Sequence, residues 1–288
     1  MGGRLNAETL VVGDQSGADG AAGVVAELAE PPNVRLLAPT TVVGAYDHGV
    51  FGAVEHVSDH VKTPDAGRPR QILWRIYAQQ SVLCAGATER PIAFANNDRP
   101  GVMLAGAVRN YANRWAVTPH RCVAVFTNNA DGYRTADDLV AKGVEVAAVV
   151  DVRKDAPAST DYEVYAGARI IGTSGRLGLT SVRLRLADGT EQTVECGALG
   201  VSGGWNPNLH LTCHHNGRPQ WAENIAAFVP GQDLPYGMHV AGAAAGVLST
   251  AGALRTGAEA AVVALQRMGR SGEAVGLPRA EDAPVELQ

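Results

Sequence analysis

Apolar and polar positions follow a different rhythm in each part of the chain. Near the start, a glycine-rich loop over residues 13–23 runs into a short helix over 21–30, which Pro31 and Pro32 stop. Residues 34–37 and 40–43, flanking Pro39, and then 52–60 and 71–78 alternate in the manner of strands, with 63–70 as a turn, and predict a small antiparallel unit. A short apolar run over 81–84 ends in Ala85-Gly86-Ala87, the pattern of a buried strand whose C-terminal end opens into a loop. The middle is more regular. A helix around 103–115, a buried strand 122–127, an amphipathic helix 132–142 ending at Gly143 and a second buried strand 144–150 predict a βαβ unit. Residues 162–171, 181–186 and 191–196 read as antiparallel strands, joined in part by the hairpin turn Ala187-Asp188-Gly189. One more strand over 199–202 meets Gly203-Gly204. Residues 239–241 then enter Gly242, and an alanine-rich helix over 243–268 precedes a polar, proline-containing tail expected to be disordered.

Composition narrows this picture. The 288 residues carry 24 Lys+Arg against 29 Asp+Glu, a net charge of −5, with no basic cluster, so the concentrated positive field that phosphate backbones require is missing. A hydrophobic fraction of 46% is enough for real cores. Glycine contributes 34 residues, well above the usual ~7%, which signals many tight turns and close backbone approaches of the kind nucleotide folds use. The first ten residues lack the apolar run of a signal peptide, and 240–254, mostly Ala and Gly, falls short of the ~20 strongly apolar residues of a membrane span. Cys84, Cys122, Cys196 and Cys213 are scattered without a Cys-x-x-Cys pair, which fits a reduced cytoplasmic protein.

Metal and hydrolytic chemistry find little support. His56 and His60 sit on an alternating segment that would hold them ~13 Å apart. Cys213-His214-His215 with His210 lies in a stretch that reads as a surface loop. No Gly-x-Ser-x-Gly elbow exists, and Gly172-Thr173-Ser174-Gly175 reads as a hairpin turn. No metal site is expected, and no residue stands out as a catalytic base.

Five motifs in order carry a family resemblance. Val82-Leu83-Cys84-Ala85-Gly86-Ala87-Thr88-Glu89-Arg90-Pro91, continued by Asn97-Asp98-Arg99-Pro100-Gly101-Val102-Met103, resembles the two-dinucleotide-domain oxidoreductases, and specifically the alpha subunits of heterotetrameric sarcosine oxidases. The same pattern runs through Gly44-Ala45-Tyr46-Asp47-His48, Val125-Phe126-Thr127-Asn128-Asn129, Val201-Ser202-Gly203-Gly204-Trp205-Asn206-Pro207 and Val240-Ala241-Gly242-Ala243-Ala244-Ala245-Gly246, and covers about residues 34–261.

The resemblance implies an α/β chain. It predicts an incomplete glutathione-reductase-like FAD/NAD(P)-binding domain over 1–100 and 197–270, an inserted Rossmann-like βαβ domain over 101–196, and a tail over 271–288. It further implies an oxidoreductase component acting on CH–NH donors, oxidising sarcosine or a related secondary amino acid. Its cofactors would be NAD in the main pocket, FMN shared with a beta subunit and FAD in a partner subunit, with smaller subunits completing the assembly. Opine dehydrogenase, proline dehydrogenase and hydrogen cyanide synthase components share the subunit type, and a non-catalytic structural subunit with decayed nucleotide folds is the alternative of another class. The family's Gly-x-Gly-x-x-Gly turn should lie upstream of Gly2-Gly3, so the chain is expected to be truncated at both ends and inactive alone. Dinucleotide contact is expected at Gly86, Ala87 and Thr88 and at Gly242, Ala243 and Ala244, where strands end in small residues that let a ligand approach the backbone. Turn or packing glycines are the plainer reading of both. Ala243 stands where flavoproteins of this fold place an aspartate, which favours NAD over FAD. In the inserted domain, Asn128-Asn129-Ala130-Asp131-Gly132 replaces the phosphate-binding glycines, and Asp151 stands at a ribose-acid position, so a scaffold role is expected there.

Overall fold

The computed structural model describes residues 1–272 and 276–280. A 3-10 turn (Gly3–Ala7) and a hairpin of β1 (Val11–Val12) and β2 (Gln15–Ser16) precede helix α1 (Gly17–Ala29). The helix starts before residue 21 because Ser16 caps it, its hydroxyl accepting from the Asp19 amide at 3.1 Å. Strands β3 (Thr40–Tyr46), β4 (Val50–His56) and β5 (Gln71–Tyr77) form the expected antiparallel sheet. Residues 34–37 are not a strand: after the two prolines the Val34 amide folds back onto the Pro31 carbonyl. Strand β4 ends at His56, so His60 lies beyond it, and His56 bonds Asp59 at 2.5 Å instead. Short strands β6 (Ser81–Leu83) and β7 (Ala87–Glu89) follow.

The regular middle comprises β8 (Val102–Leu104), α2 (Ala105–Trp115), β9 (Cys122–Thr127), α3 (Asp131–Ala141), β10 (Glu145–Asp151), β11 (Val164–Ala166), β12 (Arg169–Ser174), β13 (Ser181–Arg185), β14 (Glu191–Glu195) and β15 (Ala198–Ser202). Its five-stranded parallel sheet has the order β11-β10-β9-β15-β8. Alternation along β9 explains the packing. Val123 and Val125 point to one face, joining Val108, Ala112, Ala136 and Leu139 of α2 and α3. Ala124 and Phe126 point to the other, against Ile170, Val182 and Leu184 of the antiparallel sheet β12-β13-β14. With both faces covered, β9 is apolar from Cys122 to Phe126, as buried parallel strands are.

Two further expectations differ from the structure. Residues 162–171 are not one antiparallel strand; β11 runs parallel to β10, and the chain turns at Gly167 (φ 68°) before β12 pairs with β13. A boundary at residue 197 would cut the central sheet, because β15 lies between β9 and β8, so this unit reaches Ser202.

The remainder comprises β16 (Trp205–Pro207), β17 (Gln220–Ala222), β18 (Ala227–Val229), β19 (Met238–Val240) and α4 (Thr250–Arg267). A single helix over 243–268 does not form. Gly242–Ala245 makes a 3-10 turn, Gly246 takes φ 83°, and α4 begins only where the Ser249 hydroxyl accepts from the Gly252 amide. In the tail, residues 273–275 and 281–288 lie outside the described residues. Within 276–280, Ala280 bridges Val12, and the Gly13 amide donates to the Arg279 carbonyl at 2.7 Å.

Candidate functional site

Strands β6 and β19 pair in parallel, Ser81 with Met238 and Leu83 with Val240, and the Ala241 amide extends the ladder to the Leu83 carbonyl at 3.0 Å. The two glycine junctions therefore leave the same end of one sheet side by side, and α4 packs against both strands. Gly86 has φ 73°, and no atom lies within 4 Å of where its Cβ would be, so this turn presents bare backbone to open space. A residue that pattern-reading missed fixes its course: Asn208, just past β16, receives a hydrogen bond from the Thr88 hydroxyl (2.8 Å), donates its side chain to the Ala85 carbonyl (2.9 Å) and its amide to the Gly86 carbonyl (3.0 Å). The Thr88 hydroxyl is thus committed within the turn. Ala87 lies on β7 opposite Pro207 and lines the cavity beneath that ribbon.

The second junction is closer packed. Gly242 has φ 64°, its amide donates to the Thr256 hydroxyl of α4 at 3.0 Å, and a Cβ there would touch Ala253 at 3.4 Å. Ala244 is fully buried and Ala243 half-buried. Because α4 starts at Thr250, its first turn is not the continuation of Gly242.

In the central unit, the turn after β9 is closed by its own side chains. The Thr127 hydroxyl accepts from the Asn129 amide (3.1 Å), the Asn129 Oδ1 accepts from the Asp131 amide (2.9 Å), and the Asn129 Nδ2 donates to the Ser202 carbonyl (3.1 Å). The Asn129 side chain thus satisfies the first amide of α3 from within the turn. Gly132 persists for packing: a Cβ there would lie 2.5 Å from the Thr127 side chain. The buried Asp131 carboxylate pairs with Arg4 and lies 3.7 Å from Arg134 and 3.9 Å from Arg109. Asp151, fully buried, accepts from the Tyr133 hydroxyl (2.9 Å), the Arg153 amide (2.9 Å) and the Arg153 guanidinium (2.7 Å). The Tyr133 hydroxyl is driven upward by burial and by that carboxylate.

Beneath the β7–β16 ribbon, a cavity of about 340 Å³ is lined by Arg4, Glu8, Glu89, Arg109, Asp131 and Trp205, among others. Burial pushes the Glu89 carboxyl up to about 7. Elsewhere, the histidines after the 3-10 turn His210–Cys213 hold the segment around Tyr46, Asp47 and His48 at two points: His214 Nδ1 accepts from the Ala45 amide (3.1 Å), and His215 lies 3.1 Å from Asp47. Among the described residues, no group of three or more His, Cys, Asp or Glu side chains could hold a metal ion, and no helix is long and apolar enough to cross a membrane.

No family model matches the chain. It is 42% identical over 93% of its length to the sarcosine oxidase subunit alpha of Rhizobium meliloti, and 39% identical over 94% to that of Corynebacterium sp. strain P-1. The resemblance to these alpha subunits read from the five motifs is borne out. The chain spans only 27% and 30% of those two proteins. Among solved structures it superposes on L-proline dehydrogenase from P. horikoshii with a TM-score of 0.71 and 20% identity, covering 94% of this chain and 49% of that one. It matches Lactococcus lactis thioredoxin reductase with a TM-score of 0.66 and 13% identity, covering 93% and 88%. At these identities the likeness is one of fold, and it is the α/β, glutathione-reductase-like arrangement with an inserted Rossmann-like unit.

Proposed function

We propose that this chain is the dinucleotide-holding portion of an alpha-type subunit in a cytoplasmic, flavin-dependent amine oxidoreductase that oxidises sarcosine or a related secondary amino acid. Its 42% identity to a sarcosine oxidase subunit alpha carries the reading. The pairing of β6 with β19, which brings the two glycine junctions side by side, supports that reading. NAD would lie across this end of the sheet, against the open backbone of Gly86 and its neighbours Ala87 and Thr88, with Gly242, Ala243 and Ala244 shaping the adjoining wall. The open space above Gly86 fits a ligand whose polar atoms contact bare backbone.

A flavin held with a partner subunit supplies the two-electron acceptor for the amine. FMN shared with a beta subunit and FAD in a partner are assigned no residue of this chain. The central unit acts as a scaffold: the side chains of Thr127, Asn129 and Ser202 fill its phosphate turn, and Asp151 is consumed by Tyr133 and Arg153. That observation also favours, for this unit alone, the reading of a decayed nucleotide fold. The assembled enzyme, purified with its partner subunits and denatured, is expected to release NAD and flavin. Release of flavin alone would remove NAD from this chain, and release of neither would make the chain a structural subunit.

A further inference from the structure

The carboxyl of Glu89 sits where the linking ribbon meets the central unit. Glu89 closes β7, and its Oε2 accepts from the Gly106 amide at 2.7 Å, at the start of α2. A side chain at Gly106 would collide with that carboxyl, so the contact depends on glycine. Glu89 is 7% exposed, and its Oε1 has no hydrogen-bond partner among the described residues. The charged groups facing it are Arg4 and Glu8 from the N-terminal turn, Arg109 from α2 and Asp131 from α3; the Ser202 hydroxyl of β15 favours the ionised carboxylate, and Trp205 of β16 is uncharged. Both guanidiniums are committed elsewhere. Arg4 pairs with Glu8 and Asp131 while lying 4.9 Å from the Trp205 ring centre, and Arg109 pairs with Glu8 (2.8 Å) and Asp138 (2.5 Å).

An ionised Glu89 is therefore a buried negative charge near Asp131 with no cation of its own. The Gly106 amide at the α2 terminus and the Ser202 hydroxyl favour the ionised form, but burial outweighs them, so the change of charge falls in the neutral range. We propose that Glu89 is a proton-operated latch between the β7–β16 ribbon and the central unit. When protonated, it keeps the ribbon seated on α2 and leaves Arg4 on Asp131. When ionised, it draws Arg4 and water into the cavity, and the turn Gly3–Ala7 loosens from α2.

Amide hydrogen exchange on the full chain at pH 6 and pH 8, corrected for the chemical rate, tests this. Exchange over residues 3–8 and 105–108 is expected to rise several-fold at pH 8 in the wild type and to lose that rise in Glu89→Gln. In the wild-type protein, the backbone amide resonance of Gly106 should titrate with a midpoint near neutrality, which identifies the group without any substitution. A Gly106 resonance that does not move between pH 6 and 8, or a Glu89→Gln protein with the same rise in exchange, overturns the latch.

Discussion

Asn129 and Gly86 hold comparable places, each just past the C-terminal end of a parallel strand, and they treat the space there in opposite ways. Around Asn129, the side chains of Thr127, Asn129 and Ser202 hydrogen-bond within the turn, and Asn129 accepts from the first amide of α3. Around Gly86, the turn is tied from its outer side by Asn208, and the position of the missing Cβ is open. Packing follows the same division. Both faces of the five-stranded sheet are buried, one in a cluster with Val108 and Leu139, the other in a cluster with Phe126 and Leu184. In the surrounding part, β6 and β19 form a two-stranded sheet and Val82 stays 39% exposed. The same strand-to-turn order is thus completed in two different ways. The central unit fills the turn after β9 with side chains, whereas the surrounding unit leaves the space above Gly86 open.

The largest effect that could break this contrast concerns Asp151. If it is a structural acid, Asp151→Ala strands the Arg153 guanidinium and Tyr133 hydroxyl and costs about 3 kcal/mol or more of stability, read from urea denaturation, without changing dinucleotide affinity per folded molecule. A cost below about 0.5 kcal/mol would mean that the carboxylate is not needed by the fold.

Glu89 comes next. Its carboxyl is held at about 7 in the fold against an ordinary value of 4.5, so between these pH values the folded state binds more protons than the unfolded state. Stability from this group is complete below pH 4.5 and is lost as the pH rises to about 7, by roughly 3 kcal/mol in total. Relative to Glu89→Gln, the wild type should lose stability between pH 5 and pH 8; parallel pH profiles of the two proteins would refute the assignment.

A smaller test pits two glycines against each other. Gly132→Ala drives a methyl group into Thr127 and should cost about 1–3 kcal/mol by forcing α3 outward. Gly86→Ala meets only backbone strain at φ 73° and should cost about 1–2 kcal/mol. The sharper difference lies in structure. Circular dichroism and the exchange of α3 amides should change in the first variant, and only residues 84–88 should be perturbed in the second. Disturbance of α3 by Gly86→Ala would tie the two regions together.

Much of this arrangement was legible from periodicity. The strand 122–127 and the hairpin around Asp188-Gly189 match β9 and the β13–β14 connection because β-branched runs and a turn glycine act locally. The start of α1 was not legible, since it depends on one Ser16 hydroxyl, nor was the break before α4, where Gly246 and the Ser249 cap interrupt a sequence that alanine content alone makes helical. The five motifs indicated the junction at Gly86. Asn208 and Thr256, which hold the two junctions, lie in no local pattern, because their partners are 120 and 14 residues away in sequence. Glu89 belonged to a motif, but its partners Gly106 and Arg4 become visible only when the chain folds.

The proposed dinucleotide contact lies at the β6–β19 junction and not at the turn after β9. Hydrogen exchange of the assembled protein with and without saturating NAD addresses it directly. Slowed exchange over residues 84–88 and 241–246, with 128–132 unchanged, is the result expected. Protection confined to 128–132, or protection at neither place while NAD is bound, would contradict the account.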